Sequence, residues 1–282
     1  MRMEIIMESN VILTDRDVDH VLGAVLPNVS IGLREAVSNV YAAVQRIAPI
    51  DQRENNESMD RNFAIFAKGY YRMLRILTNM SDAFELSEAA KPHFANDSIA
   101  GICQGICASV TDLFDMAGRE LCFKSEGSAS LIACDRWLIE RMLLELLSNA
   151  LKFTPKGGKV SVCVRRHADY TAISVSDTGR GIAPDMVDTI FERYLQTDRL
   201  DPPPHGIGLG LALCRRIAHL HGGTIVAESP EESGTTFTVS LPNTKADGKE
   251  EQRTHYAGGF NEAMLALCDA LPMEAFRYCY MD

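Results

Sequence analysis

Apolar residues in the first third of the chain recur at the spacing of paired helices. One set alternates at intervals of three and four residues, as in a coiled-coil seam: Val18, Leu22, Val25, Val29, Leu33, Ala36, Val40, Ala43 and Ile47. A second seam follows: Phe63, Phe66, Tyr70, Met73, Leu77, Met80 and Phe84. The polar stretch 51–58 has no periodicity and predicts a turn, so the two helices should form an antiparallel hairpin. Pro27 inside the first seam predicts a bend or a local break.

A hairpin of this kind leaves apolar surface uncovered. Two helices alone cannot cover both stripes, so we expect a second copy of the chain to complete a four-helix bundle, which would make the protein a homodimer. The alternative is that both stripes pack onto the rest of the same chain.

The pattern changes after Pro92, which ends the second helix. Helical periodicity predicts helices over 97–117, 135–151 and 209–221. Alternation of apolar and polar residues predicts strands over 121–126, 130–133, 159–165, 171–177, 224–229 and 235–241. These elements predict an α/β sandwich, with an antiparallel or mixed sheet covered on one face by helices. We therefore expect an α+β protein with four parts: an N-terminal segment 1–14, the helical hairpin 15–95, the sandwich domain 96–242, and a linker and helical tail 243–282.

The tail carries its own apolar face. Five of its residues lie on one side of a predicted helix: Phe260, Met264, Leu267, Cys268 and Leu271. This face either docks onto its own domain or binds a partner protein, and the sequence leaves both interpretations open.

Composition and charge narrow the function classes. The 282 residues are 46% apolar and carry a net charge of −10, so the chain can bury a core but would repel the phosphates of nucleic acids. No apolar run approaches the roughly 18 residues of a membrane span, and residues 1–13 do not resemble a secretory signal. The eight cysteines are scattered without a CxxC pair, which is typical of reduced thiols in a cytoplasmic protein.

One predicted helix brings three chemically useful side chains to the same face. Glu145, Asn149 and Lys152 place a carboxylate, an amide oxygen and an ammonium together. An amide oxygen is a suitable ligand for Mg²⁺, and a lysine can neutralise a phosphate. A salt-bridged helix surface is the more common meaning of such a face.

A second segment follows a predicted strand. Asp177 could accept a hydrogen bond from an amino group such as adenine N6, and Gly179 and Gly181 would let a flat base lie against the backbone. Guanine has a carbonyl at that position, so a carboxylate would select adenine. The alternative is an ordinary turn.

Two further segments suit phosphate groups. Gly206, Gly208 and Gly210 open a helix, and such an entry exposes backbone N–H groups to anions. The residues before them, 202–205, form a loop rather than a strand, which excludes the dinucleotide-binding motif, and no P-loop motif is present. Arg193 could place a guanidinium beside the same site, although alone its segment would be an amphipathic turn.

The order and spacing of these four segments resemble the N, G1, F and G2 boxes of bacterial sensor histidine kinases, over about residues 15–242. The resemblance implies a dimerisation hairpin followed by an ATP-binding domain of the GHKL or Bergerat type. It also implies ATP and Mg²⁺ as cofactors, and in-line phosphoryl transfer. The implied roles are Asn149 for Mg²⁺, Lys152 for a phosphate, Asp177 for adenine N6, Gly179 and Gly181 for the base, Arg193 for the γ-phosphate, and Gly206, Gly208 and Gly210 for the hinge of a lid over about 197–205.

The chain departs from this family at the phosphoacceptor. Ile31 stands where the acceptor histidine should be, Gly32 where the general base should be, and Ala36 where a proline should be. Isoleucine has no lone pair with which to accept a phosphoryl group. A displaced acceptor, His20 beside Asp19, is the alternative.

Glu145 is a second departure. Kinases of the family commonly carry Asn at this position, whereas hydrolysing relatives such as the DNA gyrase ATPase carry a Glu that activates water. Slow ATP hydrolysis is therefore an alternative activity, for which Glu145 is the candidate catalytic residue. The alternative is a simple ion pair with a neighbour such as Arg141.

We therefore expect a histidine-kinase-like ATP-binding protein of a two-component system that does not phosphorylate itself in the usual way. It would act on another kinase or on a response regulator. An active kinase with a non-standard acceptor, and a non-enzymatic dimer that senses nucleotide, are the alternatives.

Overall fold

A computed structural model describes residues 15–85, 91–127, 131–187, 189–192, 208–230, 234–246 and 261–277; within the first range, side chains are described for 29–82. The first two long helices lie side by side and run in opposite directions. They are α1 (Asp15–Ile47) and α3 (Glu57–Glu85), joined by the short helix α2 (Ile50–Glu54). Arg34 contacts Thr78, whereas Tyr41 stacks on Tyr70, and this reversed order of contacts shows that the pair is antiparallel.

The hairpin prediction is confirmed, with two differences. The stretch 51–58 is not an aperiodic turn, because α2 and the first turn of α3 occupy most of it. The first helix also continues through Pro27 without a break in its helical conformation.

Helix α1 packs against α3 with a different face from the predicted seam. Its inward residues are the buried Ser30 and the partly buried Val37, Tyr41 and Val44, and the buried Ala48 follows directly after the helix. The seam residues remain exposed within one chain, at 44% for Val29, 47% for Leu33, 54% for Val40 and 74% for Ile47. The sequence had correctly identified an apolar stripe, but it is a second stripe beside the one that closes the hairpin.

The second domain is built from a mixed sheet and three long helices. The strands of the main sheet are β2 (Glu120–Glu126), β4 (Lys159–Arg166), β5 (Tyr170–Asp177), β6 (Thr224–Glu228) and β7 (Thr235–Pro242), and the helices are α4 (Ile99–Met116), α5 (Arg136–Phe153) and α6 (Gly210–Leu220). The order is β2-β4-β5-β7-β6, with β2 and β4 parallel and the other pairs antiparallel. Alternate residues of β4 and β7 are buried, which gives the sheet one face for packing against the helices. The predicted sandwich is confirmed.

A small antiparallel sheet was only half predicted. It pairs β1 (Ala95–Ser98) with β3 (Leu131–Cys134). The sequence predicted β3, but β1 consists of Ala-Asn-Asp-Ser and has no apolar alternation. Ser98, the last residue of β1, also caps α4 by accepting a hydrogen bond from the Gly101 N–H at 3.1 Å.

Helix α4 belongs to the core of this domain. Among the described residues it is the one helix with the length and apolar composition needed to cross a membrane. Its buried side chains are those of Ile99, Ile102, Cys103, Cys107, Val110, Leu113 and Phe114. These side chains pack in the same core cluster as the inner residues of α5 and of the sheet.

The C-terminal segment returns to the hairpin. It contains the short helix α7 (Glu262–Leu267) and a 3₁₀ turn (Met273–Phe276), which contact α3, α4 and α5. The predicted apolar face is buried at Met264, Leu267, Cys268 and Leu271, while Phe260 lies outside the described residues. Docking within the chain is therefore what the structure shows, and the docking surface includes α3 as well as the sandwich domain.

Candidate functional site

Helix α5 carries the first group of candidate residues. Glu145 is 1% exposed, and each of its carboxylate oxygens accepts a hydrogen bond from an arginine: Oε1 from Arg141 Nη1 at 2.7 Å and Oε2 from Arg75 Nη2 at 3.0 Å. Burial alone would raise the pKa of this carboxyl, but the two guanidinium groups outweigh burial and lower its pKa to about 2. The carboxylate is therefore ionised and fully engaged.

These ion pairs extend into a larger group that we call the junction cluster. Its members are Arg72, Arg75, Asn79 and Asp82 of α3, Arg141 and Glu145 of α5, and Asp269 of the C-terminal segment. Arg141 donates to Asp82 Oδ2 at 2.8 Å and also contacts Asn79. Arg72 and Arg75 donate to the two oxygens of Asp269 at 3.1 and 3.2 Å. The cluster joins the hairpin, the sandwich domain and the C-terminal segment.

This environment favours the ion-pair interpretation of Glu145. A general base works best when its pKa lies near the operating pH, whereas Glu145 has a pKa of about 2 and both of its carboxylate oxygens are bound by arginines. Gly210 begins α6, and a Cβ at this position would lie 2.5 Å from Glu145 Oε2. A glycine is therefore required here for close packing of α6 on α5, in addition to any role at a hinge.

Asn149 and Lys152 lie farther along the same face of α5, and both are half-buried. Burial lowers the pKa of Lys152 to about 8, helped by the positive charges of Arg75 and Arg180 and opposed by Asp269 and Glu145. Lys152 remains mostly protonated at neutral pH. Its Nζ lies 5.5 Å from the centre of the Phe153 ring, and the Arg180 guanidinium lies 4.8 Å from the same ring. Two cations thus flank the end of α5.

Asp177 ends β5 and lies beside the C-terminus of α5. It is 8% exposed, and its Oδ1 accepts a hydrogen bond from the Gly179 N–H at 2.8 Å. Burial raises the pKa of this carboxyl, against the effect of backbone hydrogen bonds from Gly179 and Thr235. A Cβ at position 179 would lie 2.6 Å from both Asp177 Oδ1 and the Phe153 carbonyl oxygen. This glycine therefore lets the loop after β5 approach α5.

The structure brings together only part of the predicted site. Gly181 lies in the loop after Asp177, and Gly208 and Gly210 lie at the start of α6. Arg193, Gly206 and the predicted lid over 197–205 lie outside the described residues. Arg75, Asp269 and Arg180 were missed by sequence reasoning; the first two come from distant parts of the chain and belong to no motif.

The position that the resemblance assigns to the acceptor lies on the outer side of α1. Ile31 is 64% exposed, whereas its neighbour Ser30 is 2% exposed and points inward. Among the described residues, no heavy atom outside the helix lies within 4 Å of the position that a Cβ on Gly32 would take. Ile31 therefore faces away from α3 within one chain. The alternative acceptor, His20, is part of α1, but its side chain lies outside the described residues.

The sandwich domain matches a known family. Residues 134–245 match the family of histidine kinase-, DNA gyrase B-, and HSP90-like ATPases. This part of the chain is a histidine kinase-like ATPase domain. The match begins at the end of β3 and includes α5, Asp177 and α6, so every predicted ATP-site residue falls inside the ATPase domain.

Whole-chain comparisons agree with this assignment. The chain is 31% identical over 246 residues to hybrid signal transduction histidine kinase D of Dictyostelium discoideum, which covers 81% of this chain but only 15% of that relative. Two solved structures show that the combined hairpin and ATPase fold is shared. Full-length ShkA in complex with AMPPNP has a TM-score of 0.59, with 23% identity over 80% of this chain and 47% of that chain. ThkA in complex with the response regulator TrrA has a TM-score of 0.55, with 20% identity over 81% of this chain and 64% of that chain.

The resemblance to sensor histidine kinases and the α+β fold predicted from the sequence are thus confirmed, and the ATPase domain is of the two-component signalling type. The chain spans only a small part of the length of the first curated relative.

Proposed function

We propose that this chain is a histidine-kinase-like protein that binds Mg-ATP but does not phosphorylate its own first helix. The observation that carries the proposal is an exposed isoleucine, Ile31, at the acceptor position of a hairpin that is joined to a histidine kinase-like ATPase domain. Phosphoryl transfer would then serve an acceptor on another protein.

The described residues fit an adenine nucleotide. Asp177, at the bottom of the loop after β5, would accept a hydrogen bond from the adenine amino group, with Gly179 and Gly181 beside the base. Lys152 and Arg193 would neutralise phosphate oxygens, and Gly206, Gly208 and Gly210 would hinge the lid. Arg180, which lies next to Lys152 over Phe153, adds positive charge at the same end of α5.

Mg²⁺ fits this donor set as a metal held jointly with the nucleotide. The residues that the structure describes contain no group of three or more His, Cys, Asp or Glu side chains that could hold a metal ion by themselves. Mg²⁺ commonly keeps several waters and binds through one or two protein oxygens together with substrate phosphates, a role that the Asn149 amide oxygen can fill. When bound, the metal would neutralise phosphate charge, while the protein holds the nucleotide in line with the acceptor.

Glu145 has a structural role in this proposal. Its two arginine partners and its burial leave it unsuited to activating water, so we do not expect Glu145-dependent ATP hydrolysis. The acceptor would belong to another kinase or to a response regulator; the solved complex of ThkA with its response regulator supports the second kind of partner.

The exposed stripe of the hairpin supports a homodimer. Val29, Leu33, Val40 and Ile47 of α1 are exposed within one chain, and α3 exposes Ile65, Met73 and Ile76. A second copy of the hairpin would bury these apolar residues in a four-helix bundle.

The described cysteines are all free thiols, which supports a reducing compartment such as the cytoplasm.

Isothermal titration with Mg-ATP and Mg-GTP tests the nucleotide site. We expect binding of ATP in preference to GTP. Asp177→Asn should weaken ATP binding by about tenfold or more, because a hydrogen bond to a charged group is worth about 1.5–3 kcal/mol. Lys152→Ala should also weaken binding, whereas the exposed Lys156, just beyond α5, provides a matched control in Lys156→Ala. No binding by the wild-type protein would overturn the proposal.

Incubation with γ-labelled ATP tests the second half of the proposal. The protein alone should give no acid-labile label, and label should appear on a partner kinase or response regulator. Strong self-labelling that is lost in His20→Ala would instead establish an active kinase with a displaced acceptor. Tight binding without transfer to any regulator would favour a nucleotide-sensing dimer.

A further inference from the structure

The C-terminal segment, residues 261–277, is a built part of the interface between the hairpin and the ATPase domain. Met264, Leu267, Leu271 and Phe276 are each at most 2% exposed. The Phe276 ring lies 5.9 Å from the ring of Tyr71 on α3, while α7 contacts α5. Apolar burial of this extent fixes the segment between the two domains.

Polar contacts tie the same segment to the hairpin at two further points. Lys68 Nζ donates to the Leu271 carbonyl oxygen at 2.6 Å. Arg277 Nε donates to Asp60 Oδ2 at 2.6 Å, and Asp60 is fully buried. Both contacts are made with α3, so they hold the segment against the hairpin and do not involve α5, which carries Asn149 and Lys152.

Asp269 connects the C-terminal segment to the charged residues of α5. Its side chain is 10% exposed and is bound by Arg72 and Arg75. Arg75 uses its other terminal nitrogen for Glu145, which lies on the face of α5 that also carries Asn149 and Lys152. Among the charges that act on Lys152, the carboxylate of Asp269 is the strongest that raises its pKa. Asp269 is therefore connected through Arg75 and Glu145 to α5, the helix that carries the proposed phosphate-binding residues Asn149 and Lys152.

The ionised groups of the junction cluster balance one another. Its guanidinium groups belong to Arg72, Arg75 and Arg141, and its carboxylates belong to Asp82, Glu145 and Asp269. A nucleotide triphosphate adds several negative charges next to this balanced set. Because charges interact strongly where water is excluded, the phosphates would repel Asp269 and compete with it for the nearby cations.

We propose that docking of the C-terminal segment and binding of the nucleotide oppose one another, so that the segment is a clamp which ATP loosens and which restrains ATP binding. This inference rests on the proposed ATP site on α5. The coupling is reciprocal: docking of the clamp lowers the affinity for ATP by the same factor by which bound ATP lowers the equilibrium constant for docking.

Nucleotide titration of charge variants tests the clamp. Asp269→Asn should bind Mg-ATP at least about fivefold more tightly than the wild type, the lower end of typical coupling between sites. Glu274→Gln makes the same charge change on an exposed residue of the same segment and should leave the affinity unchanged. Adenosine, which has no phosphates, should bind the wild type and Asp269→Asn equally, because only the phosphates compete with the carboxylate.

A remote variant and an exchange measurement complete the test. Arg277→Gln removes the contact with Asp60 without changing a charge of the junction cluster, and it should also tighten ATP binding. In the wild type, Mg-ATP should speed hydrogen exchange of the amides of 262–268. If Asp269→Asn does not fold, Arg277→Gln and the exchange measurement decide the question.

Two negative results have different meanings. Equal ATP affinities for the wild type and both clamp variants, with exchange unchanged by nucleotide, would overturn the clamp and leave the ATP site standing. Absence of ATP binding in every protein would overturn the proposed function and the clamp with it.

Discussion

Removing the negative charge of Glu145 should destabilise the whole junction between the hairpin and the ATPase domain. Glu145→Gln keeps the shape of the side chain but leaves Arg75 and Arg141 in a buried site with one carboxylate fewer. Removing one partner of a buried pair typically costs about 3–5 kcal/mol. The pKa of Glu145 gives a second estimate, because a fall from 4.5 to about 2 corresponds to about 3 kcal/mol at neutral pH. We therefore expect a loss of about 3 kcal/mol at pH 7.

The pH dependence of this loss has a definite sign. The folded-state pKa of Glu145 lies below its ordinary value, so its stabilisation is complete above pH 4.5 and disappears as the pH falls toward 2. Glutamine resembles the protonated acid. The difference in free energy of unfolding between the wild type and Glu145→Gln should therefore shrink from about 3 kcal/mol at pH 7 to about 1.5 kcal/mol at pH 3.

Urea unfolding followed by tryptophan fluorescence measures both values. Trp137 is the single tryptophan of the chain and lies in α5, the helix that carries Glu145. The matched control is Glu140→Gln on the same helix, since Glu140 pairs only with Arg136 in the described contacts, at 3.2 Å and with 24% of its side chain exposed. Such a pair is worth at most about 1 kcal/mol. A loss in Glu145→Gln no greater than in Glu140→Gln would refute the reasoning.

Two further predictions concern α6 and the hairpin. His221 Nδ1 contacts the Ile217 carbonyl oxygen at 2.8 Å, and its Nε2 accepts from the Asp135 N–H at 3.1 Å, so the ring must be neutral. Because burial lowers the pKa of His221, the stability of the protein should fall as the pH drops below about 6.5. His221→Gln should flatten the dependence of Tm on pH between about pH 7.5 and 5.5. Parallel curves for the two proteins would contradict this. Val40→Asp should convert the proposed homodimer to a monomer in sedimentation while helical content is kept, whereas Ala42→Asp, on the other exposed side of α1, should not. A monomeric wild type would count against the proposed dimer.

The elements of the sandwich domain could be predicted because their apolar residues recur at the spacing of their buried positions. In β7 the buried positions alternate as the sequence pattern predicts, whereas β5 buries Thr171, Ala172 and Ile173 in succession before it alternates. Both strands were predicted to within one residue at each end. Strand β1 was missed because Ala-Asn-Asp-Ser gains its strand conformation from pairing with β3 rather than from its own side chains.

The hairpin shows a different limit. The predicted seam is an apolar stripe that stays exposed within one chain, whereas the face that closes the hairpin combines Val37 and Val44 with Tyr41. Tyr41 stacks on Tyr70 with ring centres 4.2 Å apart, and this aromatic contact helps hold that face of α1 against α3. The sequence pattern alone cannot distinguish the apolar face of α1 that packs on α3 from the apolar face that stays exposed within one chain.

The partners of Glu145 show why part of the site was out of reach. Arg141 lies one turn earlier on the same helix, and the sequence suggested this pair. Arg75 lies 70 residues away from Glu145, and Asp269 belongs to the tail, so only the folded chain brings them together. The motifs around Asn149 and Asp177 predict a nucleotide site, but they carry no information about which distant charges surround it.

The proposed loss of the acceptor and the junction cluster fit one interpretation. An ATPase domain that delivers a phosphoryl group to its own first helix has to reach that helix, which requires freedom to move relative to the hairpin. Here Arg75 and Arg141 connect α3 to α5 through Glu145 and Asp82 in a desolvated site, and the C-terminal segment packs against both helices. Separating the domains would break buried ion pairs, whose loss costs several kcal/mol. If Ile31 stands in place of the acceptor, as proposed, the chain does not need that motion, and a fixed ATPase domain is compatible with transfer to a separate protein.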